Sequence, residues 1–373
     1  MVASVQKRLG LPGDGDPPGD GYPSRSAMML MTPDRDFDPR PGVFFCALGG
    51  ARVITSLVLQ LLQVATVLIC APLIKGVINR LKAIVQSRRG PSVFQPYYDL
   101  WKLLHKGSVV SEHASWIYFA APVFTFVTPL VVATLIPVLT AYPLPYAFMG
   151  DMLAGGFILS LGGFFTSLAA MDTASSFGGM GSSRARTVSL LAEPAVILVL
   201  FTVALIAQAT IPFVVNQTLI SASYIFNPAH WLLAAALFLV ILAESGRIPV
   251  DNPSSTFELS MIESSRLIEY SGRELALMEW GGAMKTFVLL TILLNVLTVP
   301  WGLSPEGATT AITIVVSIAS LLLKMLVVCG IIVVIESSVA KWRFFRIPEY
   351  LGATFILSAL AVVAFYFTRQ GGA

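Results

Sequence analysis

Runs of about 20 consecutive apolar residues recur along most of this chain and constrain its fold more than any other feature. Of its 373 residues, 55% are hydrophobic and only 12% are charged, whereas soluble domains average about 25% charged residues. Runs of this length cross a bilayer as helices, because the strands of membrane barrels are about half as long. We therefore predict an all-α integral membrane protein. Its eight predicted spans cover residues 51–79, 115–141, 150–171, 188–212, 230–246, 281–300, 308–338 and 349–368.

Basic residues alternate sharply between the connections of these spans. The connections after the first, third, fifth and seventh spans carry sixteen Lys and Arg residues together, whereas those near 142–149, 213–229 and 301–307 carry none. Cytoplasmic connections of membrane proteins are enriched in Lys and Arg. We therefore predict a multi-pass protein of the cytoplasmic (inner) membrane with both termini outside. The seventh span is long, and we expect it to tilt or break near Gly330.

Residues 1–42 differ from the rest of the chain. They are rich in Pro, Gly and Asp and poor in apolar residues, which predicts a disordered polar N-terminal extension ahead of a membrane domain at 43–373. The net charge of +3, without a block of like charge, gives no support for nucleic-acid binding. Cys46, Cys70 and Cys329 are too few for a four-cysteine iron–sulfur site, and the three histidines are far apart in sequence, so we expect no metal on this chain.

The long charged connection between the fifth and sixth predicted spans is the most polar stretch of the membrane domain. A charge at the bilayer centre costs roughly 2.5–3.5 kcal/mol, so charges beside apolar spans favour water-filled cavities or paired networks. This pattern indicates proton movement or a seat for a redox partner. The residues concerned are Glu244, Asp251, Glu258, Glu263 and Glu269, with Arg247, Arg266 and Arg273.

Within this connection, the sequence from Asn252 predicts a helix that runs to Gly272, because Asn followed by Pro is typical of a helix start. Glu258, Arg266 and Glu269 would then share one face. That face is either the lining of a polar funnel or a solvated surface whose acids pair with nearby arginines.

Two charged residues lie inside predicted spans. Glu193, in the fourth span, either takes up and releases protons or is a structural acid paired with Arg184 or Arg186. Lys324, in the middle of the seventh span, has no acid one turn away on its own helix. It must find a partner on another span, for which Glu193 is one hypothesis.

Other charges lie at the ends of spans. Glu244 and Arg247 are one turn apart and predict a pair across that turn. Asp172 ends the third span and either caps a turn or transfers protons. Glu336, near the cytoplasmic end of the seventh span, indicates no particular role.

Three motifs occupy the predicted cytoplasmic connections: QSRRGPSVFQPYYDLWKL at 86–103, DTASSFGGMGSSR at 172–184 with LAEP at 191–194, and ESGRIPVDNP at 244–253. With these motifs in order, residues 45–370 resemble the subunit 1 family of respiratory complex I. They are more similar to its relatives in formate hydrogenlyase and other group 4 membrane-bound nickel–iron hydrogenases. Complex I subunits carry several acids after the third motif, where this chain has Ser, Ser and Thr at 254–256. Hydrogenase relatives tend to carry histidines there, which this chain lacks.

The resemblance implies a non-catalytic membrane subunit that couples a cytoplasmic redox arm to proton or sodium translocation. Its implied partners are hydrogenase-like large and small subunits, which would hold a nickel–iron centre and iron–sulfur clusters, and antiporter-like membrane subunits. The implied ion path runs from the junction acids to Glu193 and Lys324, with Asp172 beside it. The alternative is a complex I subunit whose cavity holds a quinone. A standalone secondary transporter would show internal repeats, and the sequence has none that we recognise.

The first motif predicts a surface. Tyr97 and Trp101 belong to an amphipathic stripe, and the residues before it are Arg88, Arg89, Gly90 and Pro91. The resemblance implies that this segment supports the peripheral arm, whereas basic pairs in general also contact anionic lipid. The glycines of the second motif predict a tight loop against a partner.

Overall fold

The fold is known from a computed structural model that describes residues 50–142, 144, 150–219, 228–248, 250–251, 262–305, 311–340, 342 and 344–370. The chain divides into two units, Met1–Val53 and Ile54–Ala373. Of the first unit, only residues 50–53 are described, and they begin the first helix. The predicted disordered extension at 1–42 therefore lies outside the described residues.

Ten α-helices account for most of the described chain. A π-helix, Ile292–Thr298, continues the eighth helix, and short 3-10 turns cover Ser264–Leu267 and Phe344–Arg346. The α-helices are α1 (Gly50–Val85), α2 (Gln95–Leu104), α3 (Trp116–Leu135), α4 (Met152–Asp172), α5 (Ser176–Ala207), α6 (Pro212–Leu219), α7 (Pro228–Glu244), α8 (Gly272–Thr291), α9 (Ala311–Ser338) and α10 (Ile347–Gln370).

Seven helices in the described part of the chain are long and apolar enough to cross a membrane. The exception among the predicted spans is the fifth, α7, which is apolar but has only 17 residues. The all-α membrane fold is thus confirmed, while the count of eight spans stays a prediction. For the seventh span, the suggested break near Gly330 is wrong, because α9 runs through Gly330 without interruption.

Two predicted local structures differ from those observed. The second glycine motif, expected to be a loop, forms the first turns of α5, whose N-cap Ser175 accepts a hydrogen bond from Gly178 N at 3.4 Å. Its glycines serve packing, because a side chain at Gly181 would collide with Ser265. The predicted helix ending at Gly272 is also wrong: 264–267 is a 3-10 turn, and α8 begins at Gly272 with a φ of +59°.

Polar side chains close the ends of the spans. Gln63, fully buried on α1, donates to the carbonyls of Ala133 at 2.6 Å and Ile136 at 2.9 Å, and Gln60 donates to Thr134 O at 2.9 Å. These carbonyls lie at the C-terminal end of α3, where a helix leaves acceptors unpaired. Lipid offers no hydrogen-bond donors, so a neighbouring helix must supply them.

Helix α3 packs on both α4 and α8, and α10 packs on α7 and α5. The crossing of α3 and α8 is close enough that Gly281 has no room for a side chain. A Cβ there would collide with the backbone carbonyl of Thr125. The neighbouring Gly282 has open space around its Cα.

We therefore predict that Gly281→Ala destabilises the protein by about 1–3 kcal/mol, because overpacking forces a backbone shift. Gly282→Ala is the matched control and should be neutral or stabilising by up to about 1 kcal/mol, since alanine is the better helix former. Thermal unfolding of both variants in detergent tests this. Equal melting temperatures for the two would contradict the close crossing.

Candidate functional site

A cavity of about 350 Å³ lies among α1, α3, α4, α5, α8 and the segment that follows α7. Five of the predicted junction residues line it, and so do three residues that the sequence did not mark as site residues. The predicted members are Glu244, Arg247, Asp251, Glu263 and Arg266, and the additional members are Lys75, Glu279 and Lys285. Glu258 lies outside the described residues.

Ion pairs dominate the polar lining. Glu244 Oε2 lies 2.6 Å from Lys285 Nζ, and Glu279 Oε2 lies 3.0 Å from Lys75 Nζ. The third pair joins Glu263 to Arg266. Arg266 is buried and also donates to Ser167 Oγ at 3.1 Å, which fixes its guanidinium against α4. A cavity bordered by alternating acids and bases can hold water and exchange protons.

The predicted pair between Glu244 and Arg247 is wrong. Helix α7 ends in a Schellman turn, in which Gly246, with φ +60°, donates to Ala243 O and Arg247 N donates to Leu242 O, both at 3.1 Å. This turn reverses the chain after Glu244 and carries Arg247 away from that side chain.

Arg247 instead contacts Glu336 of α9. Arg247 Nη1 lies 3.0 Å from Glu336 Oε1, and Lys82 Nζ of α1 lies 3.3 Å from Oε2. The Glu336 side chain is fully buried. Buried charges require such compensation, so this triad joins α1, α9 and the end of α7.

Asp251 organises the backbone at the wall of the cavity. Its buried Oδ2 accepts hydrogen bonds from the backbone N–H groups of Ile262 and Glu263, each at 3.0 Å. These bonds tie the two ends of the 251–262 connection together and bring Glu263 to the cavity.

Glu193 lies on α5, half-buried, with Oε1 3.7 Å from Arg186 Nη1. The sequence-based alternative of a pair with Arg186 therefore has support in the geometry. Glu193 also interacts electrostatically with Glu244 and Lys285 of the cavity. It stands at the edge of the same charge network and does not line the cavity itself.

Lys324 does not pair with Glu193, contrary to our hypothesis. Its Nζ donates to Asn295 Oδ1 at 3.1 Å, to Val299 O at 2.7 Å and to Trp301 O. A π-helix and the coil after it leave carbonyls without intrahelical partners, and Lys324 satisfies them. Asn295 is fixed in turn by donating to Pro137 O at 3.0 Å.

Asp172 acts as a cap. Its Oδ2 accepts from Ser115 N at 2.7 Å and Ser115 Oγ at 2.8 Å, at the start of α3. Of the two interpretations from sequence, this geometry supports the structural one, although the cap joins two spans rather than closing its own turn. Arg273 is exposed, and Glu269 is intermediate in exposure; neither lines the cavity.

Tyr270 and Tyr118 fasten the segment before α8 to α3. Their rings stack with centroids 4.2 Å apart, Tyr270 Oη donates to Tyr118 O at 3.0 Å, and Tyr118 Oη donates to Glu269 O at 3.3 Å. Burial, with a smaller contribution from the neighbouring Tyr118, Asp172 and Glu274, raises the pKa of Tyr270. Tyr270 therefore stays a neutral hydrogen-bond donor.

Helix α2 displays an exposed aromatic surface. Trp101 and Tyr98 are each 67% exposed, whereas Tyr97 turns inward and donates to Ile69 O of α1. Burial raises the pKa of Tyr97, with a smaller contribution from Cys70, which keeps the hydroxyl protonated for this bond. Arg88, Arg89 and Pro91 are exposed ahead of α2, and Gly90 O accepts from Arg80 at 2.8 Å.

Sequence reasoning missed Glu279 and Lys285 because it started the sixth span at 281, nine residues after α8 begins at Gly272. That placed both residues at a membrane edge, whereas both lie within the helix. It missed Lys75 because the first span was ended at 79, whereas α1 extends to Val85. In the described residues, no group of three or more His, Cys, Asp or Glu side chains is placed to hold a metal ion.

Comparison with known proteins places this architecture. Hydrogenase-4 component C of Escherichia coli K12 is 32% identical over 82% of this chain and 95% of that protein. Formate hydrogenlyase subunit 4 of the same organism is 29% identical over 83% and 98%. A membrane subunit of the NADH-quinone oxidoreductase of Rickettsia typhi is 28% identical over 57% and 64%.

A chain of the membrane-bound sulfane sulfur reductase, an archaeal respiratory membrane complex, has the same fold. It superposes with a TM-score of 0.68 at 20% identity, covering 83% of this chain and 98% of that one. The resemblance inferred from the three motifs is confirmed, including its hydrogenase side. The family model described as NADH dehydrogenase matches residues 57–367, and the chain therefore belongs to that family.

Proposed function

We propose that this chain is the membrane subunit that anchors the cytoplasmic redox arm of a formate-hydrogenlyase or hydrogenase-4 type complex and couples its chemistry to proton or sodium translocation. The observation that carries the proposal is the cavity whose lining pairs Glu244 with Lys285, Glu279 with Lys75 and Glu263 with Arg266. Charges at this depth are costly, so a set of three pairs around one water-sized space favours ion transfer over a purely structural role.

The partners follow from the same proposal. Hydrogenase-like large and small subunits would hold the nickel–iron centre and the iron–sulfur clusters, and antiporter-like membrane subunits would complete the ion path. The exposed aromatic surface of α2 supports an arm on the side of the basic connections. In this orientation the protein lies in the inner membrane, with both termini outside and lipid around α9 and α10.

A second function has one observation in its favour. The cavity of about 350 Å³ falls within the range of small-molecule sites, about 300–1,000 Å³. Apolar side chains, including Ile74, Ile78 and Leu159, line it beside the charges. A quinone headgroup would fit such a lining, as in a complex I type NADH:quinone oxidoreductase. Inhibition of the intact complex by quinone-site inhibitors would favour this function, and insensitivity would favour the hydrogenase type.

For ion coupling, we predict that Glu244→Gln and Glu193→Gln each lower ion uptake by inverted membrane vesicles about tenfold or more, because an amide cannot carry a proton. The electron-transfer activity of the arm, assayed with an artificial acceptor, should stay within about twofold of the wild type, because the arm is assembled and the replaced groups lie outside it.

The matched control for this prediction is Glu112→Gln, which changes an exposed acid in the connection between α2 and α3. It should pump normally. Normal pumping by Glu244→Gln and Glu193→Gln would contradict the ion-path proposal.

For the arm interface, we predict that Trp101→Ala weakens retention of the cytoplasmic subunits by about 2 kcal/mol, or roughly 30-fold, because exposed Trp residues are frequent binding hot spots. The measurement is the yield of those subunits after purification through a tag on this chain. Trp231→Ala is the control, because Trp231 is 55% exposed at the start of α7, on the predicted outer side. Loss of the arm with Trp231→Ala instead would invert the orientation.

A further inference from the structure

A second and smaller cavity, of about 70 Å³, lies between α1, α2 and α8. Its mouth carries four exposed polar side chains: Asn79, Ser92, Gln95 and Asp99. Its inner end is formed by Lys75, Glu279 and Ala283.

The same three residues also line the larger cavity. The pair of Lys75 and Glu279, 3.0 Å apart, therefore stands where the two spaces meet. Its side chains are 43% and 35% exposed, which leaves both within reach of water. The walls are fixed by hydrogen bonds: Trp280 Nε1 donates to Leu68 O at 3.0 Å and joins α8 to α1.

The size and charge of the smaller cavity select its occupant. A space of about 70 Å³ holds a few water molecules but is too small for an organic ligand. A sodium ion prefers several oxygen ligands, and here the Lys75 ammonium already occupies the position beside the Glu279 carboxylate. A proton needs only one lone pair of that carboxylate.

We propose that the smaller cavity is the proton inlet of the larger one and that Glu279 is the first group to receive the proton. A proton moves from water at the mouth to Oε of Glu279, the neutral acid releases Lys75, and the proton then passes to water in the larger cavity as the ion pair re-forms. This inference rests on the proposed ion-coupling function and names where its protons enter.

The first test compares two substitutions at one position. Glu279→Gln cannot be protonated and should lower proton uptake per turnover about tenfold or more, whereas Glu279→Asp keeps the carboxylate and should recover most of it. A purely structural pair predicts the reverse, since Gln keeps the side-chain length and Asp shortens it. Equal pumping by Glu279→Gln and the wild type would overturn the proposal.

The second test blocks the mouth after folding. Ser92→Cys is introduced into a chain whose Cys46, Cys70 and Cys329 are replaced by Ala, and a membrane-impermeant thiol reagent is added to assembled inverted vesicles. Labelling should lower proton uptake about tenfold, because it cuts off the water that feeds Glu279. Labelled Ser183→Cys, an exposed position on α5, is the control and should pump normally.

The two proposals fail differently. If labelled Ser92→Cys pumps normally while Glu244→Gln does not, the inlet is wrong and the ion-coupling function stands. If neither change affects pumping, both proposals are overturned.

Discussion

The structure depends on one constraint, which is that lipid neutralises no charge and satisfies no hydrogen bond. The charges within and beside the spans therefore answer one another across helices. Glu336 illustrates this, since a fully buried carboxylate joins Lys82 of α1 to Arg247 after α7. Removing one member of such a buried network leaves the others uncompensated, at a cost of about 3–5 kcal/mol. These pairs thus fix the helix arrangement that creates the cavity.

The same constraint separates two kinds of polar group. Gln63 and Lys324 use their donors on backbone carbonyls at helix ends, so their polarity serves the fold. Glu244, Glu263 and Glu279 instead face a shared space through side-chain pairs that water can open. We assign coupling to the second group. Lys324, which sequence reasoning placed on the ion path, belongs structurally to the first.

Sequence patterns could predict the all-α membrane fold, the family and most of the cavity-lining acids, because apolar length and charge in a span carry strong physical costs. They could not predict partners across helices. The turn at Gly246, which sends Arg247 to Glu336 rather than Glu244, depends on backbone conformation that the letters only suggest. Helix ends were the other weakness: starting α8 nine residues late hid Glu279 and Lys285, because charge near a span end resembles an interfacial residue.

The central claim is that this chain is the membrane anchor of a hydrogenase-type redox arm, and purification of the intact assembly tests it most directly. The tagged chain would be isolated from native membranes in mild detergent, with its co-purifying subunits identified and their nickel and iron measured. We predict cytoplasmic cluster-bearing subunits together with nickel and antiporter-like membrane subunits. Isolation of the chain alone, stable and without partners, would contradict the claim.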